Sequence, residues 1–99
     1  MKIQSTNQFE RQLKRLAKKH YPIKALKPCI HAIVEQNIGI LNRIKDHGLK
    51  GKWLGYREFH PARIKNYGKQ FDNWIVIYTI NSHRILLTLV ATGGHDILG

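Results

Sequence analysis

Trp53-Leu54-Gly55-Tyr56-Arg57-Glu58-Phe59-His60 is the stretch in which the period of this chain changes. Upstream of it, apolar residues recur at helical spacing. From about Trp53 onward they alternate or run together as they do in strands. Trp53 to His60 is therefore predicted as the first long strand. Trp74-Ile75-Val76-Ile77-Tyr78-Thr79-Ile80 is predicted as the second and Arg84-Ile85-Leu86-Leu87-Thr88-Leu89-Val90-Ala91 as the third, joined by the turn Asn81-Ser82-His83. The last two are apolar on both faces in places, which puts them inside a sheet rather than at its edge. Between His60 and Trp74, residues Pro61 to Asp72 read as a basic polar loop or a long hairpin tip.

Upstream, Phe9, Leu13, Leu16, Ala17 and His20 predict an amphipathic helix from about Asn7 to His20. Ser5-Thr6-Asn7 offers capping side chains, and Asn7 with Glu10 has capping-box spacing. The opposite face carries Arg11, Lys14, Arg15 and Lys18, either a solvated face or a stripe for phosphates or an acidic partner. Tyr21-Pro22 ends this helix. Leu26, Ile30, Ile33, Val34 and Asn37 mark a second one, with Gly39 as its expected stop. Pro28 either opens that helix in its first turn or kinks one that begins near Ile23, and both readings stand. Lys2 to Gln4 reads as a short edge strand. The order of strand, two helices and three strands indicates an α+β domain, with a helical hairpin packed on one face of the sheet.

The chain has 99 residues, enough for one core and one domain (1–99). Its 17 Lys and Arg against 6 Asp and Glu give a formal charge of +11. Such a field favours nucleic acid or an acidic protein as partner. The lone cysteine, Cys29, excludes an internal disulfide and sits among apolar residues, as a buried inert thiol does. No apolar run approaches a membrane span, and the N-terminus lacks the apolar core of a signal peptide, so no membrane role and a cytoplasmic location are expected.

Histidine is suited to proton transfer near neutral pH, Lys and Arg to stabilising a charged phosphorane, and aromatic rings to stacking on bases. These are the requirements for cutting RNA through its own 2′-hydroxyl without a metal. His47 lies in a turn, His60 at the end of a predicted strand and His95 just after Gly93-Gly94. His20, His31 and His83 read as helix-face, surface and turn residues. The end of an antiparallel strand lies beside the start of the next, so His60 falls near Trp74. Adjacent hairpin pairing is read as leaving His95 at the far end of the Trp74 strand unless the strand order brings it back. There is no HExxH, no cysteine pair and no His-x-His, and the positive field opposes cations, so no metal or other cofactor is expected.

Three ordered blocks carry a family resemblance: Lys45-Asp46-His47 with Leu49-Lys50-Gly51-Lys52-Trp53-Leu54-Gly55-Tyr56-Arg57-Glu58 and His60; Trp74-Ile75-Val76-Ile77-Tyr78; and Ala91-Thr92-Gly93-Gly94-His95-Asp96-Ile97-Leu98-Gly99. With these, nearly the whole chain resembles the YafQ-like branch of the RelE superfamily, toxins of bacterial type II toxin–antitoxin modules. The resemblance implies a small, mostly antiparallel sheet with two N-terminal helices on one face and the first strand inserted into the sheet. It implies an mRNA endoribonuclease acting in the ribosomal A site, an acidic antitoxin, and operator DNA bound by the complex. Carried onto this sequence, it gives His95 and His60 proton transfer, with His47 assisting or orienting. Arg57 would stabilise the transition state, Lys50 and Lys52 would contact phosphates, and Trp74 would shape the pocket.

Two positions depart from the family. The Asp that usually precedes the second-strand tryptophan is Asn73 here, with Asp72 one residue earlier as its substitute. The C-terminal phenylalanine that stacks on a base is Leu98. The segment between His60 and Trp74 is longer than in short family members, and its Arg63, Lys65 and Lys69 add phosphate-contacting potential. The departures define a second reading, a catalytically weakened binding module acting through its antitoxin and operator. The charge alone would permit a third, an RNA-binding protein or nuclease that needs no ribosome.

Overall fold

A computed structural model describes residues 1–99. Its strands are β1 (Lys2–Ser5), β2 (His47–Gly48), β3 (Arg57–Phe59), β4 (Ile75–Asn81) and β5 (Leu86–Gly93). Its helices are α1 (Asn7–Lys18), α2 (Leu26–Glu35) and α3 (Ile38–Arg43). The sheet order is β1-β5-β4-β3-β2, with β1 parallel to β5 and every other pair antiparallel. The chain is α+β, and β4 and β5 are interior, as their two-sided apolar pattern requires. β1 is the edge strand that its residues predicted. It joins the sheet as the resemblance implied, at the edge and parallel to β5, and β4 and β5 remain hairpin neighbours.

Strand alternation divides the apolar residues between two faces. Trp74, Val76, Tyr78, Leu87 and Leu89 join Phe59 and the helix residues Phe9, Leu16, Leu26, Cys29 and Ile33 in the main core. Ile75, Ile77 and Ala91 point to the other face, where the apolar residues packed on them are Leu49, Trp53, Tyr56, Val90, Ile97 and Leu98. The pairing slips between Ile77 and Tyr78, which oppose Ala91 and Leu89, so Val90 is skipped. This one-residue bulge lets Val90 and Ala91 both serve the second face. Cys29 is fully buried, and desolvation pushes its thiol up to about 12, so it stays protonated.

Several local expectations are corrected. Thr6, not Asn7, caps α1 by accepting the Phe9 amide at 3.0 Å, and Glu10 instead receives the Ser5 hydroxyl. α1 stops at Lys18, leaving His20 beyond it in the left-handed region at φ 65°. Pro28 lies in the first turn of α2, where its missing amide hydrogen costs nothing. α2 ends at Gln36 in the left-handed conformation, and Asn37 caps a further helix by accepting the Ile40 amide at 3.2 Å, so Gly39 lies inside α3 and stops nothing. The predicted strand Trp53–His60 shrinks to Arg57–Phe59. A 3-10 turn at Gly51–Trp53 and the positive φ of Gly55 (94°) curl the preceding residues over the sheet. The β4–β5 turn is longer than predicted, and the Asn81 side chain accepts the amides of His83 and Arg84 there.

Candidate active site

The site is built from strand ends. Glu58 and His60 are two residues apart on the β3 segment and so share a face. His47 of β2 lies directly opposite Glu58. β3 ends where β4 begins, and Ile75 at the start of β4 pairs with Gly93 at the end of β5. The chain then turns through Gly94 into a 3-10 turn, His95–Leu98. Hairpin pairing thus carries His95 to the same end as His60 and Trp74. That overturns the expectation of the far end, because an antiparallel strand finishes where its neighbour begins. A Cβ on Gly93 would stand 2.9 Å from Ile97 Cγ2, so only glycine lets the C-terminal turn fold this closely onto the sheet.

One buried carboxylate gathers the three histidines. Nε2 of His47, His60 and His95 lies 3.6, 3.6 and 3.7 Å from Glu58 Oε2. The side chain of Glu58 is 3% exposed and that of His60 7%, against 53% for His47 and 48% for His95. The His60 and His95 ring centres are 5.4 Å apart. Ligand atoms of Glu58, His60 and His95 all fall within 4.8 Å of one another, a set that could hold a metal ion. Spacing along the chain could not reveal it, since the three come from β3 and the C-terminal turn.

The ring tautomers follow from the second contact of two histidines. His60 Nδ1 is 3.1 Å from the Asp72 carbonyl oxygen, and His47 Nδ1 is 2.7 Å from that of Lys45. A carbonyl can only accept, so Nδ1 carries the hydrogen in both rings and Nε2 faces Glu58. Burial pushes the His60 pKa below its usual value; Arg63 and His95 act in the same direction, and the Asp72 carbonyl and Glu58 partly oppose it. His60 is therefore neutral at pH 7, with a bare Nε2 available as a base.

The other predicted residues divide. Asp72 holds His60 through its backbone oxygen rather than its carboxylate. Arg57 points to the opposite face from Glu58. Its Nη2 and Nε donate to Asp46 Oδ2 at 2.8 and 3.2 Å, its Nε also reaches the Tyr78 hydroxyl at 3.3 Å, and that hydroxyl donates to Asp46. These bonds raise the Arg57 pKa, and burial with the Asp46 hydrogen bond raises that of Tyr78. Arg57 is thus committed to a structural network away from the histidines. Trp74 is 1% exposed on the helix face, donates to Thr92 Oγ1 at 2.8 Å and meets Tyr21 edge-on, so it is core rather than pocket lining. Leu98 is half-buried, and its carbonyl accepts the Trp53 indole N–H at 2.8 Å, tying the 49–56 segment to the C-terminal turn. Lys50, Lys52, Lys65 and Lys69 are exposed, and Arg63 is half-buried near His60. The sequence reading missed Glu58 as anchor and Trp53 as the half-buried aromatic beside the C-terminal turn. The two-residue offset of Glu58 from His60 was the available signal for the first.

The family model "Bacterial toxin of type II toxin-antitoxin system, YafQ" matches residues 1–99. The chain is 28% identical over 96 residues to the mRNA interferase toxin YafQ of Escherichia coli K12, covering 97% of this chain and 92% of that protein. It is similar to the toxin in the crystal structure of the E. coli DinJ-YafQ toxin-antitoxin complex, at TM-score 0.72 and 28% identity over 97% of this chain and 93% of that one. A metal-bound toxin from Helicobacter pylori superposes at TM-score 0.77 and 25% identity, covering 100% and 99% of the two chains. Since that family model spans the whole chain, the chain belongs to the YafQ family of bacterial type II toxin–antitoxin toxins.

Proposed function

We propose that this toxin is an mRNA endoribonuclease that cuts mRNA in the ribosomal A site by metal-independent histidine acid–base chemistry, in the cytoplasm. The observation that carries the reading is the convergence of three imidazoles on the buried carboxylate of Glu58 in a YafQ-family chain. Neutral His60 takes the proton of the 2′-hydroxyl on Nε2 as that oxygen attacks phosphorus. The imidazolium that forms is stabilised by Glu58 at 3.6 Å and held in place by the Asp72 carbonyl. His95, on the exposed side, protonates the departing 5′-oxygen, leaving a 2′,3′-cyclic phosphate and a 5′-hydroxyl. His47 completes the cluster as an orienting group.

Arg63 beside His60, together with exposed Lys50, Lys52, Lys65 and Lys69, supplies the positive field for phosphates. Arg15 and Lys19 flank a cleft of about 240 Å³ between α1 and the Gly93-Gly94 turn, and so extend that field towards His95. Trp53, rather than Trp74 or Leu98, is the aromatic placed to stack. The partner is an antitoxin, as in the E. coli DinJ-YafQ toxin-antitoxin complex; the +11 charge of this chain calls for an acidic one, and the joint complex binds operator DNA. The test is mRNA cleavage in a purified translation system with and without ribosomes, for this chain and its His95→Ala variant. Ribosome-dependent cleavage lost in the variant is the expected result. Cleavage of naked RNA with a steep salt dependence would instead select the ribosome-independent nuclease. The second reading, a weakened binding module, draws on the commitment of Arg57 to Asp46, and a folded chain that never cleaves would establish it.

A further inference from the structure

We propose that Trp53 is a positioning residue for His95: its indole latches the C-terminal turn so that the His95 ring stays against Glu58 and His60. The effect on cleavage rests on the nuclease reading above, whereas the latch itself does not.

The three histidines are not held alike. His60 Nδ1 lies 3.1 Å from the Asp72 carbonyl oxygen and His47 Nδ1 2.7 Å from that of Lys45, so each of these rings is aimed by a bond of its own. His95 makes no such bond. Its side chain is 48% exposed and meets Glu58 Oε2 at 3.7 Å and the His60 ring at 5.4 Å between centres. Neither distance is that of a hydrogen bond. The joint before it carries little packing either. The strand ladder ends at the pair of Ile75 with Gly93, and Gly94, which has no side chain, is the residue between that pair and His95. The aim of His95 is therefore set by where the 3-10 turn His95–Leu98 sits.

The backbone bonds of the turn run from the Ile97 amide to the Gly94 carbonyl and from the Gly99 amide to the Asp96 carbonyl, each at 3.1 Å. They close within the turn and fix its shape, not its place. Trp53 fixes its place. The indole Nε1–H donates to the Leu98 carbonyl at 2.8 Å, and the ring packs with Ile97 and Leu98 over Ile75, Ile77 and Ala91. An indole has one donor, and this bond uses it. The indole is itself held. The Tyr56 amide donates to the Trp53 carbonyl at 2.9 Å, and the Tyr56 ring meets the indole edge-to-face at 5.3 Å and 87°. Tyr56 leads directly into β3, the segment of Glu58 and His60. The latch thus ties the turn that bears His95 to the strand that bears its partners. The N–H lies in the ring plane, so this bond leaves the ring face for stacking. A displacement of about 1 Å at a reacting group can cost about 100-fold in rate, which is why a bond to the turn matters to its imidazole.

The experiment is hydrogen exchange by NMR on the unmodified chain and on Trp53→Phe, paired with the cleavage assay. Phenylalanine keeps an aromatic face and loses the N–H. In the unmodified chain the Trp53 indole N–H should exchange far more slowly than that of free indole, a measurement that needs no variant. Exchange at the free-indole rate overturns the latch. In Trp53→Phe the Ile97 amide should exchange about tenfold faster, the worth of one hydrogen bond, while the Ile77 amide keeps its rate. An unchanged Ile97 rate, or equal acceleration of both amides, overturns the latch as well. In cleavage, Trp53→Phe should lower kcat about 10–100-fold with KM within a few-fold. In a His95→Ala background, read at high toxin concentration, the same change should cost nothing further, since no imidazole remains to be aimed. A loss that appears in KM, or that adds in full to His95→Ala, would assign Trp53 to RNA binding alone and overturn the positioning role. If the unmodified chain never cleaves, the nuclease reading falls and the exchange rates still decide the latch.

Discussion

Arg57 and Glu58 are consecutive residues of one strand, yet they belong to different regions of the molecule. Arg57 faces the helices, where its Nε and Nη2 donate to Asp46 and its Nε also to Tyr78. Glu58 faces the thinly covered side, where it draws in three imidazoles at distances just beyond a hydrogen bond. In the first arrangement each charge has its partner, Arg57 with Asp46. The second is open, with a bare imidazole nitrogen on His60 and two half-exposed rings beside it. Charge alone does not mark a functional residue here. What marks it is whether its neighbours leave it something to do.

Removing the reactive pair should have the largest effect. In His60→Ala/His95→Ala, cleavage is expected to fall by at least about 10²–10⁴-fold, the usual worth of positioned acid–base groups, and induction should no longer arrest growth. Arrest by this double variant would remove the histidine cluster from the mechanism. Glu58→Gln keeps the shape but not the charge. It should lower cleavage by roughly 10–100-fold, as loss of an orienting partner does, with an unchanged circular dichroism spectrum. Wild-type turnover in Glu58→Gln would mean that the carboxylate only fills space.

The opposite face should respond in stability rather than turnover. Arg57→Met leaves Asp46, whose side chain is 6% exposed, with Tyr78 alone. A loss of about 1–3 kcal/mol in urea unfolding is expected, the cost of stranding a buried acceptor. Cleavage per folded molecule should stay within a few-fold of the wild type. If Arg57→Met instead matched Glu58→Gln in turnover at unchanged stability, the division between the two faces would collapse.

The smallest effect is a pH dependence. The folded pKa of His60 lies below its ordinary value of 6.5, so between those two values the unfolded chain binds more protons than the folded one. Stability from this group is therefore fully present above about 6.5 and declines as pH falls towards the folded pKa. Thermal melts at pH 7.5 and 5.5 should show a larger drop for the wild type than for His60→Gln. An equal drop in both would place the titration elsewhere.

Much of this could be read along the chain. The capping residues before α1, the edge strand at Lys2 and the two-sided apolar pattern of β4 and β5 are local signals, and each led to the right class of element; the change of period at Trp53 did so only from Arg57 onward. Local competition explains the misses. Asn37 formed a cap and began α3 where Gly39 was expected to end α2, and Gly55 curled a segment that the period alone made a strand. For His47, His60 and His95, residue type and turn position picked the candidates, and the family motifs supported the choice.

The sequence by itself determined the α+β class, the basic field and a set of histidines suited to RNA chemistry, because helical and strand periods, charge and imidazole basicity are properties of neighbouring residues. Only the tertiary structure decided which groups meet. A one-residue step along a strand reverses the face, so it took the register of β2, β3, β4 and β5 to send Trp74 into the core, to turn Arg57 to the helix face and to bring His47, His60 and His95 to the carboxylate of Glu58.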